Sequence, residues 1–220
     1  MTRVAPNPSP ARNVAELLKR LGGIPARRVR LVPTPGTATE RDVLGVLDRE
    51  GFICELIDGV LVEKTLGWEE AGLAGHLLTY INNYLATHNL GIAVGADGTL
   101  RLPTGLLRVP DLSYVSWDRL PGRAQPRTPV PMLALDLAVE VLSKGNTRAE
   151  MRRKLGEYFD AGTRLVWFID LRTRKASVYT ALNRRIDLDA DGTLDGGDVL
   201  PGFSLPLATL FGHLDRRADA

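Results

Sequence analysis

The chain reads as an α/β protein, and three stretches predict that class. Residues 133–142, LALDLAVEVL, are apolar except for Asp136 and Glu140, the pattern of a short strand buried on both faces. Directly after it, Thr147-Arg148-Ala149-Glu150 matches a capping box and opens a helix near Arg148. A strand that feeds a helix through a short turn packs that helix back on its own sheet. The third stretch is 52–64, where Asp58-Gly59 sits between apolar runs and signals a β-hairpin.

Side chains alternate along the central strand. Leu135, Leu137, Val139 and Val141 share one face; Asp136, Ala138, Glu140 and Leu142 share the other. At about 100° per residue, Met151, Lys154, Leu155 and Tyr158 fall on one face of the following helix. Lys154 thus lies inside an apolar stripe, where lysines are uncommon. A buried charge needs a partner. Glu140 and Lys154 therefore form a structural ion pair, or Lys154 snorkels to water, or the two belong to a reactive site.

The other elements follow in chain order. Residues 1–12 hold three prolines and few apolar groups, the composition of a disordered tail. Asn13 caps a short helix over 14–21, which Gly22-Gly23 ends. Residues 24–37 form an extended linker punctuated by prolines. Thr39, with Asp42 three residues on, opens a second helix that Gly51 closes. Val43, Leu44 and Leu47 make its apolar face. Within the hairpin, Glu55 interrupts the row Ile53–Ile57; a solvated glutamate on an edge strand is the plain account. Residues 68–87 form a long helix with Leu73, Leu77, Tyr80, Ile81 and Tyr84 buried and His76 beside them. Short strands follow at 92–94, 100–102, 106–109 and 112–115, with Pro110-Asp111 at a turn. Residues 118–131 are a Pro- and Arg-rich loop. After Gly162, a second buried strand covers 165–169 and pairs with 176–180. Residues 187–192 superficially resemble a calcium loop, but the twelfth position is Asp198 where that loop needs a bidentate Glu; a polar turn is expected. A short helix at 207–211 closes the fold.

Composition bounds the function. Hydrophobic residues make up 44% and charged residues 25% of the chain, and the net charge is +2. That is an ordinary soluble composition, with too little net charge for a general polyanion-binding argument. Cys54 is the single cysteine, which excludes a disulfide framework and a thiolate zinc site. No apolar run reaches the roughly 18 residues of a membrane span, and the N-terminus lacks a signal-peptide core. A cytoplasmic protein is the expectation.

Glu55, Asp111, Glu140 and Lys154 each put a charge in an apolar or turn context. Two converging carboxylates suit Mg²⁺, which prefers oxygen ligands and keeps several waters. Such an ion activates water and clamps a phosphoryl oxygen. A lysine nearby offsets charge that grows on the phosphate.

The ordered set Glu-Leu-Ile-Asp-Gly, a His-bearing helix, Pro-Asp, Glu-Val-Leu-Ser, a helix with Lys and Tyr, then Val-Trp-Phe-Ile-Asp resembles the Uma-type restriction endonucleases. These are a branch of the PD-(D/E)XK nuclease superfamily. The resemblance covers about residues 40–212. It implies a restriction-endonuclease-like α/β fold, a central mixed β-sheet flanked by helices with an N-terminal hairpin. It divides the chain into a tail, short helix and linker over 1–38, the nuclease domain over 39–212, and a tail over 213–220. It implies cleavage of DNA with Mg²⁺ or Mn²⁺. Asp111 and Glu140 match the metal-binding acids, and the Val141 carbonyl would be a third ligand. The superfamily places its lysine two residues after the strand acid, but here that residue is Leu142; Lys154 matches the helix lysine that stands in. Glu55 matches an early acid, a further ligand or an anchor, and His76 a histidine of undefined role.

An alternative from a different class is a nuclease fold that binds DNA without turnover. Glycoside hydrolysis by paired acids would leave Lys154 without a role. Arg101, Arg108, Arg119, Arg123 and Arg127 are candidates for a phosphate-facing groove. Cutting both strands of a duplex would favour a homodimer.

Overall fold

The computed structural model describes residues 11–64 and 67–215. Nearly all of the expected N-terminal tail, and the C-terminal tail from residue 216, lie outside the described residues.

Helix α1 spans Val14–Arg20, and Asn13 caps it by accepting from the Glu16 N–H at 2.9 Å. Helix α2, Glu40–Glu50, carries the Thr39/Asp42 capping box and stops at Gly51 in the left-handed region. Its buried face is Val43 and Val46, whereas Leu47 is exposed. The expected Leu47 contact fails because the helix turns its i, i+3 row toward Leu61 and Leu107. Strands β1, Cys54–Ile57, and β2, Val60–Glu63, form the hairpin. Asp58 and Gly59 both have positive φ, as the favoured two-residue hairpin turn requires. A Cβ on Gly59 would also meet the Gly36 carbonyl carbon at 2.5 Å.

Helix α3, Trp68–His88, ends where Asn89 adopts the left-handed conformation. Then come β3 Gly91–Gly95, β4 Leu100–Arg101, β5 Leu107–Arg108 and β6 Leu112–Ser116. The central strand β7 is Leu137–Leu142, helix α4 is Arg148–Asp160, and β8 is Leu165–Asp170. They are followed by β9 Lys175–Ala181, β10 Arg184–Leu188, β11 Thr193–Asp195, β12 Ser204–Pro206 and α5 Leu207–Gly212.

A six-stranded sheet in the order β10-β9-β8-β7-β6-β3 forms the centre. It is mixed: β7 and β8 run parallel through the α4 crossover, and the remaining pairs are antiparallel. Leu137, Val139 and Val141 face one side with Leu73, Leu77 and Ile81 of α3 and Leu207 and Leu210 of α5. Ala138 faces the other side with Met151, Leu155 and Tyr158 of α4. Helices thus flank both faces of a central mixed sheet, as anticipated.

The central strand starts later than its apolar run. Residues 133–136 are irregular: the Leu133 N–H donates to the Arg101 carbonyl and the Asp136 N–H to the Tyr114 carbonyl, both at 2.9 Å. Strict alternation therefore fails at Leu135, which packs with the α4 side. Asp136 precedes the strand, away from Glu140, and pairs with Arg119 and Arg164, each at 3.2 Å.

A second, four-stranded sheet has the order β2-β1-β5-β4. Because β1 lies between β2 and β5, Glu55 is buried in an interior strand, not solvated on an edge. The N-terminal segment is tied to both units. Val29 bridges to Val62, Leu17, Leu21 and Ile24 pack on the hairpin, and buried Arg28 meets Glu150 of α4 at 2.7 Å. Two of the three acids of 187–192 are in ion pairs, Asp187 with Arg185 and Asp189 with Lys175, each at 2.6 Å.

Candidate active site

Asp111 directly precedes β6. Its N–H donates to the Val139 carbonyl at 3.0 Å, and its Oδ2 accepts from the Val141 N–H at 2.7 Å. The β6–β7 register pairs Leu112 with Val139 and Ser113 with Ala138. One step further sets Asp111 opposite Glu140. Opposed residues of an antiparallel pair project from the same face, so two buried carboxylates emerge together on the α4 side. Within a ladder a residue's N–H and C=O point to the same neighbouring strand. The Val141 carbonyl therefore also faces the Asp111 side.

Helix α4 covers this face and inserts two polar tips. Lys154 Nζ lies 2.9 and 3.0 Å from the two Glu140 oxygens and 3.1 Å from Glu55 Oε1. One turn on, the Tyr158 hydroxyl donates to Glu140 Oε1 at 2.5 Å. The four-residue spacing stacks both side chains on one helix face. Lys154 does not snorkel; it is 4% exposed.

The second sheet supplies the far wall. Leu56 pairs with Leu107, so the same register sets Glu55 opposite Arg108. Arg108 Nη1 donates to Glu55 Oε2 at 2.7 Å, and its Nη2 donates to Glu157. Glu157 also receives Arg153 Nε at 2.7 Å, and Arg153 reaches Asp58 in the hairpin turn at 2.9 Å. From the end of the hairpin, Lys64 extends to Asp111. Its Nζ sits 2.9 Å from Asp111 Oδ1 and donates to the carbonyls of Val109 at 2.6 Å and Ala96 at 3.1 Å.

Three carboxylates, Glu55, Asp111 and Glu140, thus face three cations, Lys64, Arg108 and Lys154. Burial acts to raise the Glu55 pKa, but Lys154, Arg108 and Lys64 outweigh it and hold it at about 2. Burial likewise raises Glu140; Lys154 opposes this, while the neighbouring charges of Asp111 and Glu55 add to it, and the net shift is upward. Burial would depress the Lys154 ammonium, yet Glu140 and Glu55 prevail and keep its pKa above the ordinary value. Burial, and the charges of Glu140 and Glu55, push the Tyr158 phenol well above its usual range. Lys154 and Tyr158 therefore stay protonated at neutral pH and act as donors.

Of the residues singled out in the sequence, Glu55, Glu140 and Lys154 meet in one cluster and Asp111 faces Glu140. His76 does not join them. It rides on α3 across the sheet, where its ring stacks on that of His213 at 3.9 Å. The arginines that are candidates for a phosphate-facing groove lie in different settings. Arg108 is buried in the cluster, Arg101 pairs with Glu40, Arg119 with Asp136 and Arg123 with Asp118. Their guanidiniums have acids within reach and settle there. Sequence reasoning missed three participants. Tyr158 was visible as the i+4 neighbour of Lys154. Arg108 interrupts an apolar run just as Glu55 does. Lys64 gave no signal, since a lysine at a hairpin end is ordinary.

Asp111, Glu140 and the Val141 carbonyl offer hard oxygen donors. Among the described residues, no three His, Cys, Asp or Glu side chains form a ligand cluster. Two carboxylates and a carbonyl are the kind of donor set used by an ion that is held by one or two carboxylates and keeps most of its waters. Glu55 turns its oxygens to Lys154 and Arg108 and serves as their anchor.

Comparisons place this sequence and fold among known proteins. No curated protein matches the chain. Its structure is similar to the crystal structure of a putative nuclease belonging to DUF820 from Anabaena variabilis ATCC 29413, with a TM-score of 0.68 and 19% identity, covering 79% of this chain and 97% of that one. At that identity the likeness speaks for the fold. The model of the Uma2 family, described as a putative restriction endonuclease, matches residues 41–208. That is well over half of the sequence and takes in Glu55, Lys64, Asp111, Glu140 and Lys154; the chain belongs to the Uma2 family.

Proposed function

We propose that this chain is an endonuclease that hydrolyses DNA phosphodiester bonds with a divalent ion, Mg²⁺ or Mn²⁺. The observation that carries the reading is the opposed carboxylate pair Asp111 and Glu140, with Lys154 on Glu140 at 2.9 Å. Asp111, Glu140 and the Val141 carbonyl would hold the ion. When bound, such an ion acidifies a water and offsets charge on the phosphoryl oxygens.

The chain's own residues do the rest. The Val141 N–H fixes the Asp111 carboxylate by donating to its Oδ2 at 2.7 Å. Lys154 and Tyr158 orient the Glu140 carboxylate from two directions. Because Lys154 keeps its proton, its part is positive charge and positioning, not proton abstraction. Glu55 and Arg108 hold Lys154 in place from the second sheet. Burial excludes bulk water, which strengthens each of these interactions. DNA is the substrate the family description points to, and a twofold dimer would set one site on each strand.

The test is nicking of supercoiled plasmid by the purified protein with added Mg²⁺ or Mn²⁺. Cleavage that falls at least a hundredfold in a folded Glu140→Gln variant supports the reading. Undiminished cleavage by that variant overturns it.

Two observations favour a second reading, a DNA-binding module without turnover. Every site carboxylate already has a cation from the protein, and Leu142 occupies the strand position two residues past Glu140. That protein would bind DNA with a steep salt dependence and would leave it uncut whichever divalent ion is added.

A further inference from the structure

Lys64 is the least expected member of the cluster, and its environment is specific. An ammonium has three N–H donors, and Lys64 has three acceptors within 3.1 Å: Asp111 Oδ1, the Val109 carbonyl and the Ala96 carbonyl. Its side chain is 8% exposed. Asp111 is consequently shared, with Oδ2 committed to the Val141 backbone and Oδ1 to Lys64. A cation that binds Asp111 through Oδ1 must approach the oxygen that Lys64 holds, and one that binds through Oδ2 must share it with the Val141 N–H.

Charge leads to the same residue. The buried acids and cations balance three against three, so a dication adds two uncompensated charges in a low-dielectric setting. Such a setting makes like-charge crowding costly. One resident cation must then retreat. Arg108 is clamped by Glu55 and Glu157, and Lys154 by Glu140 and Glu55. Lys64 has a single carboxylate partner, and it sits past the end of β2 on a flexible four-carbon stem. It is the cation with the least to lose.

We propose that Lys64 is a tethered cation that occupies the metal-facing oxygen of Asp111, and that divalent binding displaces it. The inference rests on Asp111 being a metal ligand. Lys64 is thus a positioning residue: it fills and neutralises the site in the resting protein and sets a threshold for ion entry.

The experiment measures Mn²⁺ binding to the intact protein by electron paramagnetic resonance of the free ion. Three proteins are compared: the native chain, Lys64→Met, and Lys64→Met combined with Asp111→Asn. The expected result is about tenfold tighter Mn²⁺ binding by Lys64→Met, with the gain lost in the double variant. Equal or weaker binding by Lys64→Met, or no binding by either protein, overturns the proposal. Should Lys64→Met fail to fold, the native chain answers through its lysine ¹⁵Nζ and Val141 amide resonances, with Lys64→Arg assigning the Lys64 signal. Mg²⁺ is expected to move both resonances together. A Val141 shift with Lys64 unmoved overturns displacement. The two readings separate cleanly: a Mn²⁺ gain without DNA cleavage keeps the tethered cation and removes the nuclease, and cleavage without the gain does the reverse.

Discussion

Tyr158 donates its hydroxyl to Glu140 Oε1 at 2.5 Å from inside the core. The contact is a charge-assisted hydrogen bond between a helix and the central strand. Such bonds contribute about 1.5–3 kcal/mol. Tyr158→Phe keeps the ring packing and removes only the donor. The expected outcome is a loss of stability in that range by urea denaturation. Plasmid nicking should fall with it, since Glu140 loses one of two groups that orient it. Unchanged stability would show that Lys154 alone satisfies the carboxylate.

Lys154 neutralises two buried acids at once. Removing one partner of a buried pair costs roughly 3–5 kcal/mol because the other charge is stranded. Lys154→Met should therefore destabilise more than Tyr158→Phe. Lys154→Arg retains the charge but not the compact ammonium geometry. It should recover stability better than it recovers nicking. Urea titration and nicking rates of the three proteins check this order.

Glu55 gives the protein an acid limit. Its folded pKa of about 2 lies below the ordinary value of 4.5. A group depressed in the folded state stabilises above its unfolded pKa, and that stability is lost as pH falls through the folded value. The window therefore runs downward from about pH 4.5 to about 2. Glu140 has the opposite sign, so its proton uptake favours the folded state. Glu55→Gln should flatten the stability profile in that window, read by urea midpoints at several pH values.

The fold was legible where pattern is local. The capping boxes at Thr39 and Thr147, the Asp58-Gly59 turn and the buried runs at β7 and β8 all depend on near neighbours in sequence. Legibility failed where a partner is remote. The apolar run before Leu137 cannot announce that Arg101 and Tyr114 take its backbone hydrogen bonds. Leu47 and Val46 are equally apolar, and only the packed hairpin chooses between them. Within the site, charge out of context pointed to Glu55, Asp111, Glu140 and Lys154. Arg108 and Lys64 were misread or missed because exposed cations are common on hairpins and loops. What distinguishes them is burial against acids 53 and 47 positions away, respectively.

The Arg28–Glu150 pair tests whether buried charges outside the site behave alike. Both side chains are nearly inaccessible, and Arg28 also donates to the Glu63 carbonyl at 3.0 Å. Arg28→Met strands Glu150 and should cost about 3–5 kcal/mol. Glu150→Gln in the same chain removes the stranded charge and retains a side chain suited to the capping box. The double variant should regain much of the loss, since replacing both partners is milder than breaking a pair. Mn²⁺ affinity should stay unchanged in both, because neither residue touches Asp111 or Glu140.

Leu142 follows Glu140 by two residues on β7 and so projects from the same face of the sheet. It is only partly buried, at the edge of the cluster beneath α4. A lysine there has a route for its ammonium toward Glu140 with its stem along apolar neighbours. Leu142→Lys alone would crowd a fourth cation into the cluster beside Lys154 and should lower stability by about 1–3 kcal/mol, the usual cost of a strained core substitution. In the Lys154→Met background the sign changes. There Glu140 is stranded, and the strand lysine meets it from the same face. Leu142→Lys combined with Lys154→Met should be more stable than Lys154→Met alone and should nick plasmid faster. The coupling energy of the double-mutant cycle, from urea midpoints, is expected to be favourable. Strict additivity would mean that position 142 cannot reach the carboxylate, and that the helix and strand positions are not interchangeable sources of the site's positive charge.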